Sequence, residues 1–94
     1  MMDVTFELPA ALQAFAQART VVVPAERSGT VADALAALSA RHPGVVDRIL
    51  DERGELRRHV NVFLDAENIR FIGGLRAPLT SGSTIIVVPA VSGG

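Results

Sequence analysis

Cysteine is missing from all 94 residues, which excludes a thiol nucleophile, a disulfide framework and a thiolate metal site together. Any sulfur in the chemistry of this chain must come from another molecule. Lysine is missing too, since the nine basic residues are all arginines. Lysine ε-amines are the side-chain nucleophiles that attack activated acyl groups, so the chain cannot build isopeptide polymers on itself through lysine. Neither sign of charge prevails: nine basic residues face ten acidic ones, interspersed, for a net charge of −1. That balance leaves no basic stripe for a phosphate backbone and no polybasic membrane anchor, so nucleic acid and membrane are not expected partners. No apolar run approaches the roughly 20 residues of a membrane span. Met1-Met2-Asp3-Val4 lacks the basic region and apolar run of a secretory signal, and a cytoplasmic protein is the expectation.

With 49% hydrophobic residues, the chain can bury one modest core without disulfides or a metal. Asp3 to Leu8 alternates polar and apolar residues, the mark of a strand with Val4, Phe6 and Leu8 toward the core, and Pro9 ends it. The pattern leaves the form of Ala10 to Gln17 open. Arg19 to Val23 is a β-branched run stopping at Pro24, so it reads as a second strand paired with the first. Val31, Ala34, Leu35 and Leu38 then fall at i, i+3, i+4 and i+7, a helix stripe with Thr30 at its N-cap and Asp33 completing a capping-box pattern. Pro43 stops that helix. Val45 to Leu50 allows a further short helical piece, and Asp51 to Glu55 is a charged loop. Val60 to Asp65 reads as a third strand, Ala66-Glu67-Asn68 as a turn, Ile69 to Ile72 as a short fourth strand broken by Gly73-Gly74, and Thr84 to Val88 as the last strand. A sheet with one amphipathic helix laid across one face, an α+β architecture, satisfies this order.

One helix cannot cover both faces of that sheet. Successive strand residues point to opposite sides, so Ile85-Ile86-Val87-Val88 leaves apolar surface away from the helix. If Val60, Val62 and Leu64 face the helix, Phe63 lies on the open face. Either the Ile85/Val87 pair or the Ile86/Val88 pair joins it, and the assignment adopted is Ile86 and Val88. An uncovered patch of Phe63, Ile86 and Val88 would mark a protein-docking surface. Beyond residues 1–89, the expected domain, lies the tail Ala90-Val91-Ser92-Gly93-Gly94, expected to be flexible. Glycine has no Cβ, so the Gly94 carboxylate on a thin Gly93-Gly94 end can enter an active site that would exclude a side chain. Five extended residues reach roughly 17 Å, enough to cross a partner's surface into a buried site.

The tail, the helix start Gly29-Thr30-Val31-Ala32-Asp33-Ala34-Leu35 and the stretch from Leu79 through Gly82 to Pro89 together resemble the MoaD/ThiS family of ubiquitin-like sulfur carriers. The resemblance covers nearly the whole chain. It implies a ubiquitin-like β-grasp fold: a mixed sheet of four to five strands, one main helix across it, and the first and last strands parallel at its centre. It also implies an E1-like adenylyltransferase/sulfurtransferase as partner, which joins the Gly94 carboxylate to AMP using ATP and magnesium held on the enzyme's side. A sulfur donor then displaces AMP to leave a thiocarboxylate. Gly94 would bear the adenylate and then the sulfur, with Gly93, Ser92, Val91 and Ala90 threading into the partner's active site. On this reading the chain is a carrier that binds no cofactor and is not itself an enzyme.

Within the family, Arg70-Phe71-Ile72-Gly73-Gly74-Leu75 followed by Pro89-Ala90-Val91-Ser92-Gly93-Gly94 looks most like carriers that supply sulfide to a cysteine synthase, served by a metalloprotease that trims the adduct. Small subunits of molybdopterin synthase, which insert their tail into a large catalytic subunit, are the alternative. Those more often have two prolines where this chain has Pro89-Ala90. Thiazole-forming carriers are usually shorter, lacking the insertion between His42 and His59. A ubiquitin-like modifier joined through Gly94 to lysines of targets is a further reading, and a non-covalent binding module with an inert tail is another.

The remaining polar candidates have plainer explanations. Gly73-Gly74 is followed by no Lys-Ser/Thr pair and opens no helix, so it reads as a turn and not a phosphate loop. His42 and His59 lack metal-ligand spacing. Asp51, Glu52 and Glu55 fit a solvated loop. Arg57, Arg58 and Arg76 could steer an acidic partner surface.

Overall fold

The computed structural model describes residues 2–80 and 82–89. Period-two alternation in β1 (Met2–Glu7) buries Met2, Val4 and Phe6 and turns Asp3, Thr5 and Glu7 to the other face. After Leu8, also buried, the segment left open by its composition forms α1 (Ala10–Ala16), whose alanines are strong helix formers. Gln17 ends it in the left-handed region, φ 55°, its N–H donating to the Gln13 carbonyl.

β2 (Thr20–Ala25) pairs antiparallel with β1 from Glu7↔Thr20 to Met2↔Ala25. It runs through Pro24, where the sequence suggested a stop. Arg41 Nη1 donates to the Val22 carbonyl at 2.8 Å, so the polar backbone groups of Val22 face outward from the sheet. Pro24, two residues on, has the same orientation, and its missing N–H falls on the outer edge where no ladder bond is lost.

α2 (Val31–Arg41) starts as its stripe requires, burying Val31, Ala34, Leu35 and Leu38. The Thr30 Oγ1 accepts from the Asp33 N–H at 3.3 Å, and Asp33 Oδ2 accepts from the Thr30 N–H at 2.8 Å, closing the capping box. Pro43, which stops this helix, stands at the start of α3 (Pro43–Ile49), where its lack of an N–H costs nothing. β3 (Val60–Leu64) and β5 (Thr84–Pro89) run antiparallel, Val60↔Pro89 to Leu64↔Ile85. β5 runs parallel to β1, with Thr5↔Thr84 and Glu7↔Ile86. The sheet order is β2-β1-β5-β3-β4, so the first and last strands are central neighbours and the helices pack on one face. Val4, Phe6, Val23, Leu35, Leu38, Ile49, Val62 and Ile85 are fully or almost fully buried in one cluster. Each such side chain contributes about 1.5–3 kcal/mol by leaving water. No helix among the described residues is long and apolar enough to cross a membrane.

The fourth strand is a correction. β4 is only Glu67–Asn68, paired Leu64↔Glu67 and Phe63↔Asn68, and Ile69–Phe71 is a 3-10 helix. The turn is Asp65-Ala66, with φ 48° and 76°, the left-handed pair of a two-residue hairpin, and not Ala66 to Asn68. Asn68 Oδ1 then accepts from the Arg70 N–H at 3.0 Å, capping the 3-10 turn and ending the strand. Period three replaces period two, so Ile69 is fully buried while Phe71 is 85% exposed.

Candidate functional site

β5 leaves the middle of the sheet at Pro89, and the tail residues Ala90, Val91, Ser92, Gly93 and Gly94 lie outside the described residues. Two surfaces adjoin that exit. The first is the sheet face that carries no helix among the described residues. Phe63 and Ile86 are direct cross-strand partners, as are Asn61 and Val88, and all four point away from the helices. Phe63 and Ile86 are half-buried and Val88 is 38% exposed, while Ile85 and Val87 are in the core. The register therefore brings Phe63, Ile86 and Val88 together on the open face, two residues from the start of the tail. Glu7, beside Ile86 on β1, bounds this apolar strip.

The second surface was not anticipated. A groove of about 690 Å³ opens at the end of β3 and β5, floored by Leu12, Val60, Val87 and Pro89 and rimmed by Arg48, Arg57, His59 and Asp47. These residues come from α1, α3, the loop before β3, and the two strand ends. Their separation in sequence hides the groove from any motif reading. His59 thus stands on the groove that Pro89 also lines, while His42 joins α2 to α3.

The other polar candidates are distributed by their backbone roles. Asp51 Oδ1 accepts from the N–H groups of Arg53 (2.8 Å) and Glu55 (3.0 Å), and Arg53 lies 3.7 Å from both the Asp51 and Glu55 carboxylates. The Glu55 amide chiefly, with the Arg53 amide and the arginine charges, holds the Asp51 carboxyl below its ordinary value despite partial desolvation. Asp51 thus clasps its own loop. Gly73 and Gly74 occupy φ 114° and 64° and lead into a 3-10 turn, so they form a turn as expected. Arg76 adjoins Ala77, whose carbonyl accepts from Val31 N–H at the start of α2. That is the opposite end of the sheet from Arg57, so the expected trio of Arg57, Arg58 and Arg76 does not share one surface. Arg48 takes the place beside Arg57.

A mixed five-stranded sheet with its first and last strands parallel at the centre, and helices on one face, defines a ubiquitin-like β-grasp protein. The model of the ThiS family matches residues 7–94. The sulfur carrier protein CysO of Mycobacterium tuberculosis (strain ATCC 25618 / H37Rv) is 30% identical over 95 residues, covering 99% of this chain and 100% of the relative. The small archaeal modifier protein 1 of Haloferax volcanii is 36% identical over 89 residues, covering 95% and 98%. The crystal structure of the BexX/CysO complex of Amycolatopsis orientalis contains a chain that superposes with a TM-score of 0.85 at 33% identity, covering 97% of this chain and 99% of that one. The chain belongs to the ThiS family.

Proposed function

We propose that this chain is a sulfur carrier that is loaded at Gly94 and gives up sulfide to a biosynthetic acceptor, most specifically to cysteine synthesis. The observation that carries the reading is the family match running through residue 94, over the Gly93-Gly94 end. A carboxylate is a poor electrophile. An E1-like adenylating enzyme, holding ATP and magnesium, would let the Gly94 carboxylate attack the α-phosphorus and release pyrophosphate. Sulfide then attacks the acyl carbon, AMP leaves with the bonding electrons, and a thiocarboxylate remains. The chain contributes the electrophile and the handle, and catalysis belongs to its partners. Gly93 and the small residues Ala90, Val91 and Ser92 suit entry into a narrow site, and Phe63, Ile86 and Val88 offer the docking strip beside it.

The cysteine assignment draws on the relative named CysO. A partner that receives the tail finds support in the Amycolatopsis orientalis complex, in which a related chain is bound to BexX. The acceptor would be a cysteine synthase, with a metalloprotease trimming the adduct, and a molybdopterin synthase large subunit is the alternative acceptor. A second function, conjugation through Gly94 to target lysines, draws on the likeness to the small archaeal modifier protein.

The test is intact-mass analysis of the chain with its adenylating enzyme, ATP, magnesium and sulfide. Replacement of one oxygen by sulfur at Gly94 is expected, and it should vanish when Gly93 and Gly94 are deleted. No exchange under these conditions would overturn the carrier reading. Isopeptide remnants on lysines of other proteins, left by trypsin as the segment Ala77 to Gly94 because Arg76 is the last basic residue, would establish the modifier function.

A further inference from the structure

The groove beside Pro89 carries two guanidinium charges, Arg48 and Arg57, that no carboxylate of the described residues pairs within 4.0 Å. Arg57 donates Nε and Nη2 to the Asp47 carbonyl at 3.2 and 3.0 Å. Arg48 donates Nη1 to the Gly44 carbonyl at 3.0 Å and stacks on Phe15, 3.7 Å from the ring centre. A carbonyl accepts a hydrogen bond without cancelling a charge. Among the described residues the ion pairs are those of Arg53 with Asp51 and Glu55, so neither Arg48 nor Arg57 has a carboxylate within 4.0 Å there. A guanidinium has five N–H groups, and each of these two keeps donors unspent. Their stems are already held, so less freedom is lost when a ligand binds. Asp47 supplies the one carboxylate of the groove lining, and Asp51 outside it attracts Arg57 from a distance, which leaves two guanidiniums against one carboxylate on the rim of a chain whose net charge is −1.

Apolar floor and basic rim together fit a peptide with an apolar side chain flanked by carboxylates. Sulfur carriage and protein modification both begin with adenylation, so the enzyme that adenylates must hold the body beside the tail in either case. We propose that this groove grips an acidic segment of the adenylating enzyme, its apolar residue on Leu12, Val60 and Pro89 and its carboxylates on Arg48 and Arg57. The inference deepens the carrier reading and rests on it.

The experiment measures association of the chain with its adenylating enzyme at low and high salt, and the rate of loading. Arg48→Glu and Arg57→Glu should each weaken binding about 10-fold at low salt, acting through the association rate, with the difference shrinking as salt rises. Ala11→Glu adds a negative charge at the exposed lip of the groove without breaking a bond, and suits the first turn of α1, so it should reproduce the loss even if an arginine variant folds poorly. Arg27→Glu, exposed at the opposite end of the sheet, should change affinity less than about 2-fold, as surface charge away from an interface is screened. Normal loading of wild type with unchanged binding of Ala11→Glu and of the folded arginine variants overturns the groove proposal alone. Failure of wild type to be loaded overturns the carrier reading, and this proposal with it.

Discussion

Phe63 and Ile86 face each other as a direct cross-strand pair on the side of the sheet away from the helices of the described residues. Cross-strand neighbours act as one surface, and Val88 extends it toward the tail. Replacing both by threonine keeps strand formers at both positions while removing the apolar contact. The Phe63→Thr/Ile86→Thr variant is expected to bind the proposed adenylating enzyme about 30-fold more weakly, the equivalent of about 2 kcal/mol and typical of an interface anchor. Titration calorimetry reads the loss, and a melting curve shows that the fold is kept. Binding at wild-type strength would remove the strip from the interface.

Thr30 ties more than its own helix. Besides the capping box with Asp33, the adjoining Gly29 carbonyl accepts from Leu79 N–H at 3.0 Å and Val31 N–H donates to the Ala77 carbonyl at 3.0 Å. The start of α2 is thus stapled to the segment that precedes β5. Thr30→Ala should lower stability by about 1 kcal/mol in denaturant unfolding. Gly29→Ala should cost about 1–3 kcal/mol, because its Cβ would stand 3.0 Å from the Glu26 carbonyl oxygen and 3.3 Å from Asp33 Oδ2. A Gly29→Ala midpoint equal to wild type would mean that this corner has room to relax.

Ser83 is the buried polar residue of the described core, 1% exposed at the foot of β5. Its Oγ donates to the Thr80 carbonyl at 2.6 Å and accepts from the Thr80 N–H at 2.9 Å. Alongside, Asp65 Oδ1 accepts from Thr84 N–H at 2.9 Å and Oδ2 from the Thr80 hydroxyl at 3.0 Å. Ser83→Ala would orphan the Thr80 amide, and should destabilise the fold by about 1–3 kcal/mol. Because both residues bond Thr80, the Ser83→Ala/Asp65→Ala pair should depart from additivity. Simple addition of the two losses would show that the residues act independently.

How far the sequence could be read depended on whether period or environment decided each element. The alternation of Val4, Phe6 and Leu8, the stripe of Val31, Ala34, Leu35 and Leu38, and the Thr30-Asp33 cap are local signals, and each appears where it points. The open-face strip was legible because a strand permits only two orientations. Ile69 to Ile72 misled, since β-branched and aromatic residues suggest a strand while the Asn68 cap and the two glycines that follow favour a 3-10 turn. Pro24 misled for a positional reason, because an edge strand tolerates what a central one does not. The exposure of Phe71 could have been found from a three-residue period. Arg48, Arg57 and His59 could not have been joined into a groove, because only tertiary packing brings α3 and the loop before β3 to the end of β5.

The Asp51 clasp makes one contribution to stability depend on pH. Its carboxyl in the folded chain lies below the ordinary value of 3.8, chiefly through the Glu55 amide, so the folded state favours the charged form. The stabilisation is therefore fully present above about pH 4 and is lost as pH falls through the folded-state value. Asp51→Asn should flatten that part of the acid limb of an unfolding-midpoint-against-pH curve, without moving the curve's slope near neutrality. An acid limb identical to wild type would show that the loop bonds do not survive in solution.

Asp65-Ala66 is a two-residue hairpin in which both residues take positive φ, 48° and 76°. Such turns favour Asp-Gly, because a Cβ in the left-handed region crowds the following carbonyl at a cost of about 1–2 kcal/mol. Asp65 is compensated by the bonds its carboxylate makes to Thr80 and Thr84, whereas Ala66 is exposed and has only a methyl group. Ala66→Gly removes the crowding. Glycine gives back about 0.4–1 kcal/mol through the greater freedom of its unfolded chain. The difference leaves a net gain of about 0–1.6 kcal/mol, centred on about 0.8 kcal/mol, against the usual rule that Ala→Gly destabilises. Equilibrium unfolding in urea should show a higher midpoint at unchanged slope, since the surface exposed on unfolding is the same. A lower midpoint would mean that residue 66 does not occupy the left-handed region in solution, and that β3 and β4 are joined by a different turn.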